Sequence, residues 1–228
     1  MSLFAIADLH LSLGSAKPMD VFSGWDHYVS RLEENWRGVI TDRDTVVIAG
    51  DISWAMSLTE AKRDFAFLES LPGQKLLMKG NHDYWWSTRK KMDSFLSENG
   101  FSTLRILHNC AYSVGGVSVC GTRGWFYDAE EDADKKILNR EVGRLKASLE
   151  DAAPGTEPVV FLHYPPVFGG DRCEEFLTLL REWKIRRCYY GHLHAESHRL
   201  ALQGNWHGIE FQLVSADYVN FRPVKILD

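Results

Sequence analysis

Five short polar clusters punctuate this chain, each closing an apolar, strand-like run. That placement constrains the fold more than any other feature. The clusters are Asp8-Leu9-His10, Gly50-Asp51, Gly80-Asn81-His82-Asp83, His163 before Tyr164-Pro165-Pro166, and Gly191-His192-Leu193-His194. Sheets of α/β proteins carry their ligands beyond the carboxyl ends of the strands, so repeated strand-then-cluster units predict one sheet edge where all five meet. Together they offer three carboxylates, one amide and five imidazoles. That set suffices to hold two metal ions side by side and leave one histidine for proton transfer. Mixed imidazole, carboxylate and amide ligation suits Mn, Fe, Zn or Co better than Ca or Mg.

The first half of the chain alternates strand and helix signals. Residues 3–7, 45–49 and 75–79 are apolar strand candidates, each running into a cluster. Trp25, Val29, Leu32, Trp36 and Val39 recur at helical spacing. Ser57 and Glu60 form a capping box ahead of Ala61, Phe65 and Leu68. A third helix is expected over 87–99, with Gly100 at its C′ position. In the second half, 111–114 and 117–120 flank Gly115-Gly116, a two-residue hairpin signal. Ile137, Leu138, Val142, Leu145 and Leu149 mark a long amphipathic helix, and the acidic stretch from Asp128 to Asp134 reads as its exposed start. Residues 159–162 and 188–190 are strands ending at His163 and Gly191, with a helix through Phe176, Leu179, Leu180 and Trp183 between them. The tail over 209–226 reads as further strands. Within a strand, side chains at i and i+2 share a face, which would pair Asp8 with His10 and His192 with His194. The glycines before Asp51, Asn81 and His192 let the backbone turn and leave room for an ion.

Composition serves mainly to exclude classes. With 228 residues, 45% hydrophobic and 25% charged, the chain reads as one ordinary globular domain over residues 1–228. A net charge of −5 provides no global positive field for polyanions, so long nucleic acid is not an expected partner. No run of about 18 apolar residues exists to span a membrane. Cys110, Cys120, Cys173 and Cys188 form no C-x-x-C pair and read as reduced core thiols, which suits a cytoplasmic setting. The first residues lack the basic start and apolar length of a secretion signal.

In their order the five clusters resemble the blocks of the calcineurin-like metallophosphoesterase superfamily, which read D-x-H, G-D, G-N-H-D/E, H and G-H-x-H. The resemblance covers Asp8 to His194, most of the chain. One departure matters: the protein Ser/Thr phosphatases extend the second block to G-D-x-x-D-R. Here Trp54 and Ala55 stand where that Asp and Arg would be, which argues against that subgroup. The resemblance implies two packed mixed sheets with helices on both outer flanks, a four-layer α/β/β/α sandwich. Carried over residue by residue, it implies that Asp8, His10 and His194 hold one divalent ion. Asn81, His163 and His192 would hold a second, with Asp51 bridging. It also implies hydrolysis of a small phosphoester (a phosphodiester, nucleotide or phosphomonoester) by a hydroxide between the ions, with His82 protonating the leaving oxygen or stabilising the transition state.

Several residues carry two readings. Asp83 either orients His82 or starts a helix. Trp54 and Trp85, which follow motif strands, either line the cleft or pack in the core. Arg123 either clamps a phosphate oxygen or forms a salt bridge. His27, His108, His198 and His207 belong to no block. Two rival functions are a nuclease acting on DNA, which would be expected to carry a basic groove, and a non-catalytic scaffold, which would be expected to have lost ligands. Neither sign is visible.

Overall fold

Strand β1 (Leu3–Ile6) opens the chain, followed by α1 (Tyr28–Val39), β2 (Thr45–Ile48), α2 (Leu58–Ser70), β3 (Gln74–Leu77), α3 (Arg89–Glu98) and β4 (Leu104–Ile106). The second half holds β5 (Ala111–Val114), β6 (Val117–Thr122), α4 (Asp132–Glu150), β7 (Glu157–Leu162), β8 (Val167–Phe168), β9 (Asp171–Arg172), α5 (Glu174–Glu182) and β10 (Arg187–Tyr190). After a 3-10 turn over Ala195–Leu200 come β11 (Gly204–Trp206), β12 (Ile209–Leu213) and β13 (Val224–Leu227). This computed structural model describes residues 1–125 and 132–228. The first part of the acidic stretch, 128–131, therefore lies outside the described residues.

Two large mixed sheets result, with strand orders β13-β1-β2-β3-β4 and β11-β12-β10-β7-β6-β5. The period-2 alternation of the strands builds three apolar layers. Leu3, Ala5, Val47 and Leu76 of the first sheet meet Val119, Val159, Phe161 and Tyr189 of the second. On the outer face of the first sheet, Phe4, Ile6, Val46 and Ile48 pack with Leu32, Trp36, Phe65 and Met92 from α1, α2 and α3. On the outer face of the second, Val160, Leu162, Cys188 and Tyr190 pack with Leu145, Phe176 and Leu180 from α4 and α5. The four-layer α/β/β/α expectation is borne out.

Local chemistry sets the element ends. Ser57 Oγ accepts from Glu60 N (3.3 Å), and the Glu60 carboxylate reaches back to Met56 N (2.9 Å), one residue before the cap. Gly115 and Gly116 take φ of 55° and 86°, as a two-residue turn between β5 and β6 requires. Trp25 precedes α1 rather than belonging to it, yet its indole is buried in the same apolar layer. All four cysteines are free thiols. No described helix is long and apolar enough to cross a membrane.

Register carries the polar clusters to one edge. Ile6 pairs with Ile48 and Ile48 with Leu77, so β1, β2 and β3 end level. Tyr190 likewise stands level with Leu162 and Leu213. The two edges are then stitched together: Ala7 N donates to Val214 O (2.8 Å) and Ala216 N to Ala7 O (2.9 Å). Residues following β1, β2, β3, β7 and β10 consequently face one another.

Candidate metal centre

The backbone reaches this edge in an unusual conformation. Asp8, His10, Asp51 and His192 all have positive φ, at 59°, 46°, 51° and 75°. Strand alternation is therefore not what places Asp8 beside His10, because β1 ends at Ile6. Both are single left-handed residues on either side of Leu9, in a segment pinned to its neighbour, with Asp8 N donating to Gly50 O and His10 N to Asp51 O, each at 2.9 Å. Such conformations are costly for residues with a Cβ and persist where the surroundings over-determine them, typically at functional sites.

Gly80 and Gly191 act through space, and Gly50, at φ 95°, through both space and conformational freedom. A Cβ on Gly80 would sit 2.1 Å from Asp51 Oδ1, and one on Gly191 would sit 2.5 Å from Asp8 Oδ2. A Cβ on Gly50 would meet His163 Nδ1 at 2.6 Å. Each glycine thus clears the volume of a donor from another strand. Gly80→Ala should cost most of the bound metal, because Asp51 would have to leave its place. Elemental analysis of the folded variant reads this directly, and full occupancy would refute it.

Two donor groups result: Asp8, His10 and His194, and Asp51, His163 and His192, with the donor atoms of each within 4.8 Å of one another. His10 Nε2 lies 3.3 Å from His194 Nε2, and His194 Nε2 lies 3.6 Å from Asp8 Oδ1. Asp51 Oδ2 is 3.8 Å from His10 Nε2 and 3.5 Å from His163 Nε2. His163 Nδ1 donates to Ala49 O (3.1 Å), which leaves a lone pair on Nε2, 2.6 Å from Asn81 Oδ1. Acceptors thus crowd toward common points. Asp8 Oδ1 is buried without a hydrogen-bond partner among the described residues.

Electrostatics agree with a cation site. Burial pulls His10 and His192 down to about 3 and lowers His163 as well, so these imidazoles are neutral at pH 7, the form in which a histidine can ligate a metal. Burial and the neighbouring Asp8 charge push the Asp51 carboxyl well above its ordinary range. Burial acts upward on Asp8 too, but three histidines (His194, His163 and His10) hold it well below that range. At His194 burial works downward, yet the hydrogen bond to Asp217 and the negative charges of Asp8 and Asp217 outweigh it and push the imidazole up to about 10. The buried carboxylates demand positive charge between them, and the donor set fits divalent transition metals.

Asp217 belongs to no sequence cluster and went unpredicted. Its Oδ1 accepts from His194 Nδ1 (3.0 Å), and its Oδ2 accepts from Ala195 N (3.2 Å). A carboxylate behind an imidazole fixes its ring and tautomer and raises its basicity as a ligand. Asp217→Asn should weaken metal binding roughly 10–100-fold, the usual effect of losing such a partner. Metal titration of the stripped protein would show it, and an unchanged affinity would remove Asp217 from the site. His198 Nε2, 3.3 Å from Asp217 Oδ2, leans on the same carboxylate.

Asp83 departs from both of its expected roles. Its carboxylate accepts from the backbone N–H groups of Asp51, Ile52, Ser53 and Gly80 and from Trp85 Nε1, at 2.7–3.2 Å. It ties the Gly50-Asp51 and Gly80-Asn81 turns together rather than aligning the His82 ring. Nor does it start a helix, since α3 begins at Arg89 behind a Thr88 cap. Burial and the Asp51 charge push it up to about 7, but all five partners are donors, which suits the carboxylate. Trp85, 2% exposed and edge-on to Phe65, is a core residue and does not line the cleft. Its indole N–H, satisfied by Asp83, is what lets it be buried.

Arg123 is engaged inward: its Nη2 meets the fully buried Glu141 (3.1 Å), and its guanidinium lies over Trp125. The salt-bridge reading holds in buried form, and among the described residues no side-chain contact carries Arg123 to the metal centre; its backbone O accepts from His163 N (3.1 Å). His82 and Trp54 do stand at the site. They line a cavity of about 350 Å³ with His10, Asp51, His192 and His194. Trp54 stacks on His10 (4.9 Å, 23°) and lies 4.4 Å from the His82 ring.

A four-layer sandwich with this convergence of imidazoles and carboxylates is the architecture of a metallophosphoesterase. The family model for calcineurin-like phosphoesterase matches residues 1–196, and the chain belongs to that family. A curated relative, the uncharacterized protein MJ1445 of Methanocaldococcus jannaschii, is 36% identical over 62 residues, 27% of this chain and 34% of that protein. The match thus spans about a third of the relative's length. Among solved structures, phosphopantetheinyl hydrolase from Mycobacterium tuberculosis aligns over 99% of this chain and 95% of its own, with a TM-score of 0.59 at 13% identity. A protein of unknown function from Aquifex aeolicus aligns over 98% and 95%, with a TM-score of 0.51 at 15% identity. At such identities these structures speak for the fold alone.

Proposed function

We propose that this protein is a phosphoesterase using two divalent transition-metal ions to hydrolyse a small phosphoester: a phosphodiester, a nucleotide or a phosphomonoester. The observation that carries the reading is Asp51, whose Oδ2 faces His10 at 3.8 Å and His163 at 3.5 Å, one imidazole from each side of the centre. On this reading Asp8, His10 and His194 hold one ion, Asn81, His163 and His192 the other, and Asp51 touches both. When bound, such a pair lowers the pKa of a coordinated water and neutralises charge on the attacking and leaving oxygens.

The chain's own residues supply the rest. The water oxygen forms the new bond to phosphorus and gives up a proton to solvent, and the ester P–O bond breaks. His82, in its protonated form although burial lowers its imidazole pKa, delivers a proton to the leaving alkoxide. His82 N donates to Asp51 Oδ1 (2.7 Å), which couples the position of the acid to that of the metal donor. Membership of the calcineurin-like phosphoesterase family supports hydrolytic chemistry. A net charge of −5 weighs against long nucleic acid as the substrate.

The direct test is elemental analysis of metal-loaded protein together with a panel containing bis-p-nitrophenyl phosphate, p-nitrophenyl phosphate, a phosphopeptide and single-stranded DNA. Two equivalents of metal and turnover of the small esters are expected. A clear preference for the phosphopeptide or the DNA would overturn the substrate class. Two bound ions with no turnover would favour a non-catalytic scaffold.

A further inference from the structure

The cavity beside the metal centre has two unlike walls. One is the donor set itself. The other comes from the segment between β1 and α1, which presents Met19, Phe22, Ser23 and Trp25. Turns fix that segment: Phe22 N donates to Met19 O, Trp25 N to Phe22 O and Tyr28 N to Trp25 O, at 2.9–3.1 Å. Arg31 Nη1 holds Gly24 O at 2.8 Å, and Trp54 Nε1 points at Met19 Sδ at 3.3 Å. The wall is therefore built before any ligand arrives.

Phe22 nevertheless remains 56% exposed, and other uncovered apolar side chains lie along the same edge of the sheets. Met56 is 61% exposed in the loop after β2, and Tyr84 is 52% exposed in the loop after β3. Large apolar groups held open at a site mouth mark a surface that something covers. Among the described residues, Phe22 belongs to none of the apolar layers.

Resting on the phosphoesterase reading above, we propose that this wall receives the organic group of the ester. The substrates would then be phosphoesters of apolar, ring-bearing alcohols, not of sugars, nucleosides or peptides. With the phosphoryl group on the metal donors, whatever lies against Met19, Phe22 and Trp25 must belong to the rest of the ester. A sugar would set hydroxyls against these side chains, where Ser23 is the polar residue of the wall. The Asp217 carboxylate across the cavity is already engaged by His194 and Ala195, and buried polar groups without partners are strongly disfavoured. A nucleobase stacked on Trp54 would have to compete with His10 at one contact and the Lys17 ammonium, 4.5 Å from the ring centroid, at another. An apolar ring laid against Met19 and Phe22 needs no face of Trp54 and, unlike a base, brings no polar edge groups that require partners. The flexible Met19 can adapt its surface to such a ring, and a cavity of about 350 Å³ lies at the small end of ligand sites.

Inert ligands separate this pocket from the chemistry. Three phosphonates, 1-naphthylmethylphosphonate, methylphosphonate and an acyclic adenine phosphonate, are titrated calorimetrically into the manganese-loaded protein. The naphthyl compound should bind at least about tenfold tighter than the methyl one, the usual scale for filling an apolar pocket, and tighter than the adenine one. In Phe22→Ala and in Met19→Ala/Phe22→Ala the naphthyl-to-methyl ratio should fall toward one. Phe22 is exposed, so the single variant is expected to fold. Equal affinities in the wild type, adenine binding as tightly as naphthyl, or a ratio untouched by both variants would each overturn the pocket. Failure of the phosphoesterase reading looks different: naphthyl preference would persist while no phosphoester in the panel turned over.

Discussion

Asp51→Asn should lose metal and activity together while keeping, or gaining, stability in the metal-free state. Asp51 Oδ2 faces an imidazole from each side of the centre (3.8 and 3.5 Å), so on the proposed assignment its charge holds both ions and offsets their mutual repulsion. The amide keeps the shape and loses the charge. Metal affinity should fall by more than the roughly 10–100-fold typical of losing an outer partner, and turnover should fall with it. In the metal-free fold the sign reverses. Burial and the Asp8 charge push the Asp51 carboxyl well above its ordinary range. A group raised in this way lends stability below the usual carboxylate range and loses it as pH rises through the raised value. Metal-free wild type should therefore weaken between mild acid and neutrality, whereas the variant should be flatter. Elemental analysis and thermal melts across that window read both effects. A variant with two ions and wild-type turnover would remove Asp51 from the centre, and a variant that melts far lower without metal would mark it as structural.

The strand-then-cluster pattern was legible because the glycines, carboxylates and imidazoles lie close to each other in sequence. The layered fold was legible because apolar runs alternate with amphipathic helices. Why Asp8 lies beside His10 was not legible, since side-chain alternation in a strand gives the right pairing for the wrong reason. The actual cause is two left-handed residues flanking Leu9, at 59° and 46°, which no propensity scale anticipates. Asp217 was invisible for a different reason: a lone carboxylate outside the motifs reads as surface until the chain crossing at Ala7 and Ala216 brings it behind His194. Asp83 shows the converse. It belongs to a motif, so proximity in sequence suggested service to His82, but four of its five bonds go to backbone N–H groups, which carry no sequence signal. Trp85 was misplaced by the same blindness, because only its bond to Asp83 explains how an indole N–H can be buried there.

His82→Ala should separate catalysis from metal binding. The ring belongs to neither donor group, lines the cavity, and is held by van der Waals contact with Trp54 and a long Nδ1 contact to Tyr84 Oη at 3.4 Å. Its backbone N–H, which bonds Asp51, survives the substitution. The variant should thus keep its fold and both ions while losing roughly 10²–10⁴-fold in rate, the usual contribution of a positioned proton donor. The loss should be smallest for p-nitrophenyl esters, whose leaving group departs without protonation, and largest for alkyl esters, whose alkoxide needs the proton. Added imidazole should restore part of the alkyl-ester rate by entering the vacated space. Three measurements decide it: bound metal, the dependence of the loss on leaving-group pKa, and the response to imidazole. Metal loss, or an equal drop for every leaving group with no rescue, would make His82 a supporter of Asp51 rather than the proton donor.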